Sequence, residues 1–185
     1  MTRNTVSRSL HDVGLAAWFG GTLANSVALN PASAAAATPA STGAVANTGW
    51  DRWTPVNAAA IGAHVVGSVG QLAGNRGRLV GQRGVASMAL AKTGLTAAAL
   101  AATGYSRLLG RTVSAHGAVP ADSATEPTVD TPPEVARAQK RLDSLQWAVP
   151  ALTGALVVLS AFAGEQQRAS QATGGVLRRL APGRR

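Results

Sequence analysis

Four long, nearly uncharged apolar segments constrain this chain more than anything else in it. They lie at about 10–30, 55–74, 85–106 and 147–164. Each holds close to the ~20 residues that carry a helix across ~30 Å of hydrocarbon. Long blocks built of Ala, Val and Leu differ from the short alternating runs of a soluble sheet. Charged residues make up 14% of the 185 residues, well below the ~25% of ordinary soluble domains. Phe and Tyr together number three, too few for a soluble core of usual aromatic content. The expectation is an all-α integral membrane bundle of four transmembrane helices, a single domain over residues 1–185.

The connections read differently from the spans. Residues 31–49 are a low-complexity Ala/Ser/Thr/Pro stretch, and residues 107–133 are rich in Ala, Thr, Pro and acids. Both are expected to be flexible loops. Residues 75–83 read as a tight basic loop between the second and third spans. Residues 134–146 read as an amphipathic helix, with Val135, Ala138, Leu142 and Leu145 on one side. It either lies at the interface or runs straight into the last span, where Pro150 is a natural kink. Residues 165–185 form a basic tail. The first segment has a rival reading as a cleaved signal peptide, because Arg3 and Arg8 precede it and Ala32-Ser33-Ala34 follows it. Asp12, Gly20, Gly21, Thr22, Asn25 and Ser26 make it a weak signal core and favour a retained helix.

The net charge of +9 does not point to nucleic acid. The arginines sit at the ends of apolar segments, as membrane topology requires, instead of among aromatic or polar readers on one face. With four spans, the N-terminus, the 75–83 loop and the tail share one side and carry ten Lys or Arg, against six on the other. The excess places both termini in the cytoplasm of a multi-pass cell-membrane protein. There is no cysteine, which excludes disulfides, thiolate metal sites and a cysteine nucleophile.

Small residues mark where helices can approach closely. Gly20 and Gly21 do so in the first segment, Gly70 and Gly74 form a GxxxG in the second, and Gly94 heads a stripe with Ala98 and Ala102 in the third. Trp50, Trp53 and Trp147 flank spans and read as interfacial anchors.

Four polar residues fall in or beside the spans: Lys92, His64, Asp12 and His11. An ionisable group at such depth costs ~2.5–3.5 kcal/mol on insertion scales and marks function by default. Lys92 reads equally well as a snorkelling lysine, since its side chain leans toward the helix N-terminus. Asp12 is its one nearby candidate counter-charge, and otherwise simply favours the start of its helix. His64, near the middle of its span, reads as a buried neutral histidine bonded to a neighbouring helix, with a proton-relay role as the alternative. The three histidines lack HxxxH or ExxH spacing, so no metal is expected. No nucleotide-binding, hydrolase or metalloprotease motif is present, and neither a catalytic residue nor a cofactor is assigned.

Four fragments carry a resemblance: His11-Asp12-Val13-Gly14-Leu15, Gly49-Trp50-Asp51-Arg52-Trp53-Thr54-Pro55-Val56-Asn57, Lys92-Thr93-Gly94-Leu95-Thr96 and Gln146-Trp147-Ala148-Val149-Pro150. Together they resemble a group of small, uncharacterised multi-pass membrane proteins of high-GC actinobacteria. The resemblance covers the four spans and implies a location, with no catalytic residue to transfer. The expected function is a non-catalytic membrane protein that packs with itself or with partner membrane proteins in the bilayer. The alternatives are a small transporter or channel component using Lys92 and His64 in a polar path, and the membrane anchor of an enzyme.

Overall fold

The computed structural model describes residues 4–81 and 83–180, with side chains at 4–76 and 86–164. Among these residues the chain is helical, without a strand and with one isolated bridge between Ala121 and Pro127. Helix α1 spans Thr5–Ala24, widens into a π-helical turn at Asn25–Leu29, and ends in the short α2, Asn30–Ser33. Then come α3 at Pro39–Gly81, α4 at Arg83–Ala115 and α5 at Pro133–Leu180. The π turn falls directly before Pro31, which has no N–H to offer the preceding turn.

The long helices alternate in direction around a ring. Helix α1 lies antiparallel to α3: Asn4 Nδ2 donates to the Gly70 carbonyl at 2.8 Å, Gly14 faces Ala60 and His64, Gly21 faces Trp53, and Leu29 faces Gly49. Helix α3 lies antiparallel to α4 through Asp51 with Arg107 and His64 with Thr96. Helix α4 meets α5 through Tyr105 with Arg141, and α5 meets α1 through Gln146 with Ser26 and Gly154 with Phe19.

Several boundaries differ from expectation. The supposed loop at 31–49 is helical from Pro39 onward, because Ala, Ser and Thr followed by Ala46, Trp50 and Trp53 give that stretch an inward face. The supposed 75–83 loop is absorbed by the end of α3 and the start of α4; its residue 82 lies outside the described residues, as do the side chains of Arg78 and Arg83. Residues 107–115 continue α4. The helix at 134–146 and the span at 147–164 form one element, which runs on to Leu180. The basic side chains of the tail lie outside the described residues.

The rest of the long connection, residues 116–132, is tied to α3 and folded back on itself by hydrogen bonds. The Ala121 N–H donates to the Pro39 carbonyl at 3.1 Å, Asn47 Nδ2 donates to the Gly117 carbonyl at 3.3 Å, and Thr131 Oγ1 donates to the Pro120 carbonyl at 2.6 Å. Val119 packs with Val113, Val135 and Ala138 in one apolar cluster. Gly43 is needed there, since a Cβ would strike the Val119 carbonyl. A second cluster lies deeper, formed by Trp18, Ala60 and Ala99 with Ile61, Leu100 and Leu152 against it.

The distribution of side chains is inverted relative to a soluble bundle. His11, His64, Ser26, Asn30, Ser33 and Thr153 are buried, while Val6, Val13, Val66, Leu90, Val158 and Phe162 are each more than half exposed. Among the described residues, two helices are long and apolar enough to cross a membrane, α3 over Pro39–Arg76 and α5 over Pro133–Gly164. By length and composition α1 and α4 do not reach that standard.

Close approach of α1 and α3 depends on glycine. A Cβ at Gly14 would lie 2.5 Å from the Ala60 carbonyl oxygen and the His64 nitrogen, and one at Gly67 would strike the His11 backbone. Gly70 meets only the Ser7 side chain and Gly74 the Asn4 amide, both of which can yield. Gly20 and Gly94, expected as packing positions, face open space, because each lies on the side of its helix turned away from its neighbours. Gly67→Ala is therefore expected to destabilise the fold by about 1–3 kcal/mol. Gly94→Ala should be neutral or stabilising by up to ~1 kcal/mol from helix propensity. Thermal melts of the two variants in detergent, followed by circular dichroism, check the contrast.

Candidate functional site

Two polar centres lie inside the ring of helices, one toward each end. The first is a histidine pair. His11 on α1 and His64 on α3 stack with ring centroids 4.5 Å apart, and Trp18 lies 6.0 Å from the His64 ring. Partners fix the tautomers. A carbonyl can only accept, so His64 Nδ1–H donates to the His11 carbonyl at 3.4 Å, and its Nε2 accepts from Thr96 Oγ1 at 3.4 Å. His11 Nδ1–H donates to the Asp12 carboxylate at 2.7 Å, leaving a buried Nε2 with no protein partner. Both bonds of His64 are long, so the pair is held more by packing than by hydrogen bonding.

His11, expected near the interface, is thus as buried as His64, at 1% and 0% exposure. Asp12 bonds its neighbour His11, and Lys92 makes no ion pair with it among the described residues. Lys92 is half-buried and remains within coulombic range of His11, His64 and Asp12. The described residues bring no three His, Asp or Glu side chains together in a metal-binding arrangement.

The second centre begins with a proline. Pro150 sits inside α5 and has no N–H, so the Gln146 carbonyl four residues earlier loses its helical donor. Ser26 Oγ, on the π turn that continues α1, supplies the missing bond at 2.6 Å. The Gln146 side chain extends the connection: its Oε1 accepts from Asn30 Nδ2 at 2.7 Å, and Asn30 Oδ1 accepts from Trp50 Nε1 at 2.9 Å. Gln146 Nε2 donates to Asp143 Oδ1 at 2.8 Å, and Thr125 Oγ1 donates to the same carboxylate at 3.2 Å. Three helices and the long connection are thereby joined through one glutamine.

This network forms one wall of a partly open chamber of about 330 Å³, lined by residues of all four long helices and the 116–132 connection. That volume is at the lower end of the ~300–1,000 Å³ typical of small-ligand sites. Most of its lining is apolar, including Ile61, Leu100, Leu142, Leu145 and Val149. Trp50 and Trp53, expected as interfacial anchors, turn inward and line it, whereas Trp147 is half exposed. Gly104 and Gly110 on α4 also line it, and a Cβ at either would meet nothing within 4 Å. Three buried polar atoms on chamber-lining residues have no partner: Trp53 Nε1, Asn57 Oδ1 and Arg107 Nε. Arg107 is held in place by its Nη1 bond to Asp51 Oδ1 at 3.2 Å.

Sequence reasoning reached the histidines and Lys92 but missed the chamber. Its residues come from all four long helices and the connection, and only two of them, Trp50 and Trp53, carried a signal. Pro150 was the other available clue, because a proline inside a helix always leaves a carbonyl to be satisfied.

Comparison with family models, with curated proteins and with solved structures found no match to this chain.

The proline account has a sharp test. Ser26→Ala leaves the Gln146 carbonyl unsatisfied and should cost about 1–3 kcal/mol. Pro150→Ala restores an N–H for that carbonyl, so in the Ser26→Ala background it should recover most of the loss. A thermal-melt double-mutant cycle measures this coupling, and additive effects would refute it.

Proposed function

We propose that this chain is a four-span integral membrane protein, with both termini cytoplasmic, that acts without catalysis as a binding protein for a small lipophilic molecule held in the chamber. The observation that carries the reading is the chamber itself. It combines mainly apolar walls with a few polar side chains, Asn30 and Gln146 among them, the combination by which ligand sites orient an amphipathic guest.

The membrane placement is supported by the inverted side-chain distribution. Helix association in lipid relies on small residues and interhelical hydrogen bonds instead of burial of large apolar groups. The seams here are built of Gly14, Gly67, Ser26, Asn30 and Gln146. Only 17% and 22% of the most apolar windows of α3 and α5 are buried inside the protein, whereas the core helix of a soluble domain would be mostly covered. Helices α1 and α4 complete the bundle in this reading. Their lower apolarity comes in part from polar residues turned inward, such as His11 and Thr103, and in part from the exposed Arg8 and Asp12. Helix α3, at 43 residues, is ~65 Å long by helical rise, more than twice the hydrocarbon thickness. Its first turns, with the end of α4 and the 116–132 connection, then stand outside the bilayer as a small head.

A role in packing with partner membrane proteins has less support than the sequence implied. The glycines at positions 14, 67, 70 and 74 are occupied by contacts within the chain. The path through Lys92 and His64 is not favoured either, since His64 and His11 are closed off by their neighbours.

Two measurements test the proposal. The chain has no cysteine, so Asp122→Cys and Thr5→Cys report on topology directly. A membrane-impermeant maleimide should label position 122 in intact cells and position 5 only after permeabilisation. Equal labelling at both would overturn the four-span arrangement. For binding, organic extracts of protein purified in mild detergent should contain a lipophilic molecule near one equivalent. Gly104→Leu, which adds a side chain where a Cβ meets nothing, should lower that amount at least fivefold with circular dichroism unchanged. An equal yield from the variant would remove the chamber as the site.

A further inference from the structure

One side of the chamber is not covered by protein. Among its lining residues Ala58 on α3 and Gly104 on α4 are exposed, and every other one is half-buried or buried. Both lie between the two bonds that tie α3 to α4, Asp51 with Arg107 and His64 with Thr96. A Cβ at Gly104 would meet nothing within 4 Å. The opening is therefore the seam between these two helices. We infer that this seam is a side door through which one chain of an anionic phospholipid enters the chamber from the bilayer, its phosphate staying outside at Arg107 and Arg111. This rests on the reading of the chamber as a binding site in a membrane-spanning bundle.

The door stands at the depth of a lipid's upper chain. Ala58 is three residues inside the apolar segment 55–74, and Gly104 is two inside 85–106. By helical rise both lie ~3–5 Å below the edge of the hydrocarbon. A door at that depth faces acyl chains just under the head groups, so the molecules that meet it are the bilayer's own lipids. Inside it, Ile61 and Leu100 pack against the Trp18 cluster, and the apolar lining continues to Val113, Leu142 and Leu145. A chain that enters exchanges one apolar setting for another, since lipid tails are as apolar as leucine. The preference for one lipid over the rest must then come from its head group.

The charge beside the door selects that head group. Gly104, Arg107 and Arg111 recur at i, i+3 and i+7, so they share one stripe of α4. Arg107 is the first residue beyond the third apolar segment and Arg111 is about one turn further, at head-group level. Arg111 is exposed and has no ion pair among the described residues. Helices α3 and α4 carry a single carboxylate, Asp51, which is bonded to Arg107 at 3.2 Å. The mouth therefore keeps an excess of positive charge. A guanidinium matches phosphate oxygens bidentately. In a zwitterionic lipid the ammonium offsets that attraction, and an uncharged lipid has no phosphate to meet it. The two arginines thus favour a phospholipid of net negative charge.

The test places the full-length protein in phosphatidylcholine vesicles that carry a trace of phosphatidylglycerol with a diazirine in one acyl chain. Modified peptides are mapped by mass spectrometry. The expected result is labelling of the chamber at Ile61 and Leu100, suppressed at least fivefold by unlabelled phosphatidylglycerol, with labelling of the outward Val66 and Val158 unchanged. Arg111→Gln should lower the chamber labelling at least threefold and Arg111→Lys should retain most of it, with helical circular dichroism as the folding control. Ala58→Trp, which puts a ring in the door, should lower it as far as Arg111→Gln does. Equal chamber labelling by a phosphatidylcholine probe, or undiminished labelling of Arg111→Gln, would overturn the anionic head group. Phospholipid probes that reach only outward residues, while organic extracts of the purified protein still hold another lipophilic molecule near one equivalent, would overturn the side door and leave the chamber as a binding site. Empty extracts together with outward labelling alone would overturn both.

Discussion

A carbonyl without its helical partner holds this structure together. Pro150 denies an N–H to Gln146, and in a low-dielectric interior such an orphan group must be satisfied by something. Ser26 reaches across from α1 to do so. The contact sets the register of α1 on α5, and the Gln146 side chain then sets Asn30, which in turn sets Trp50 on α3. The wall of the chamber is the outcome of that sequence of bonds. A proline that weakens one helix locally thus supplies the point at which three helices are aligned.

Around that point the packing follows the physics of small residues. Helices α1 and α3 come close enough for backbone to touch backbone because Gly14 and Gly67 have no Cβ to intervene. The same closeness lets the His11 and His64 rings stack and lets His64 reach the His11 carbonyl. Helices α3 and α4 are instead tied at two points along their length, by Asp51 with Arg107 and by His64 with Thr96. Between those two ties Gly104 adds no side chain, and the space that remains is part of the chamber. Tight and loose seams within one bundle therefore arise from where glycine meets backbone and where it meets nothing.

The charged groups occupy modest roles in this arrangement. Lys92 lies beside the histidine pair without a bonded partner among the described residues, and Asp12 is taken up by His11. Arg107 matters more, because its bond to Asp51 ties α4 to α3 while its Nε is buried without a hydrogen-bond partner among the described residues. An arginine presents five donors in a fixed fork, so anchoring one end predisposes the other.

The sequence by itself determined the helical class, since blocks of Ala, Leu and Val with few charges have no other economical way to satisfy their backbone. It also located one polar residue that would have to be buried, because His64 stands alone in apolar surroundings, whereas His11, beside Asp12, read as interfacial. It did not determine how far the helices run. The stretch 31–49 reads as low complexity, yet from Pro39 it is helical because Val119 and Leu29 give it something to pack against, a fact about distant residues. Nor did it reveal which glycines are structural: Gly20 and Gly94 look as suitable as Gly14 and Gly67, and only the angular position of each helix separates them. The chamber was decided by tertiary structure alone. Its walls come from residues up to 127 positions apart, between Thr22 and Val149, and a void has no sequence signal, since it exists only where side chains from several helices fail to meet.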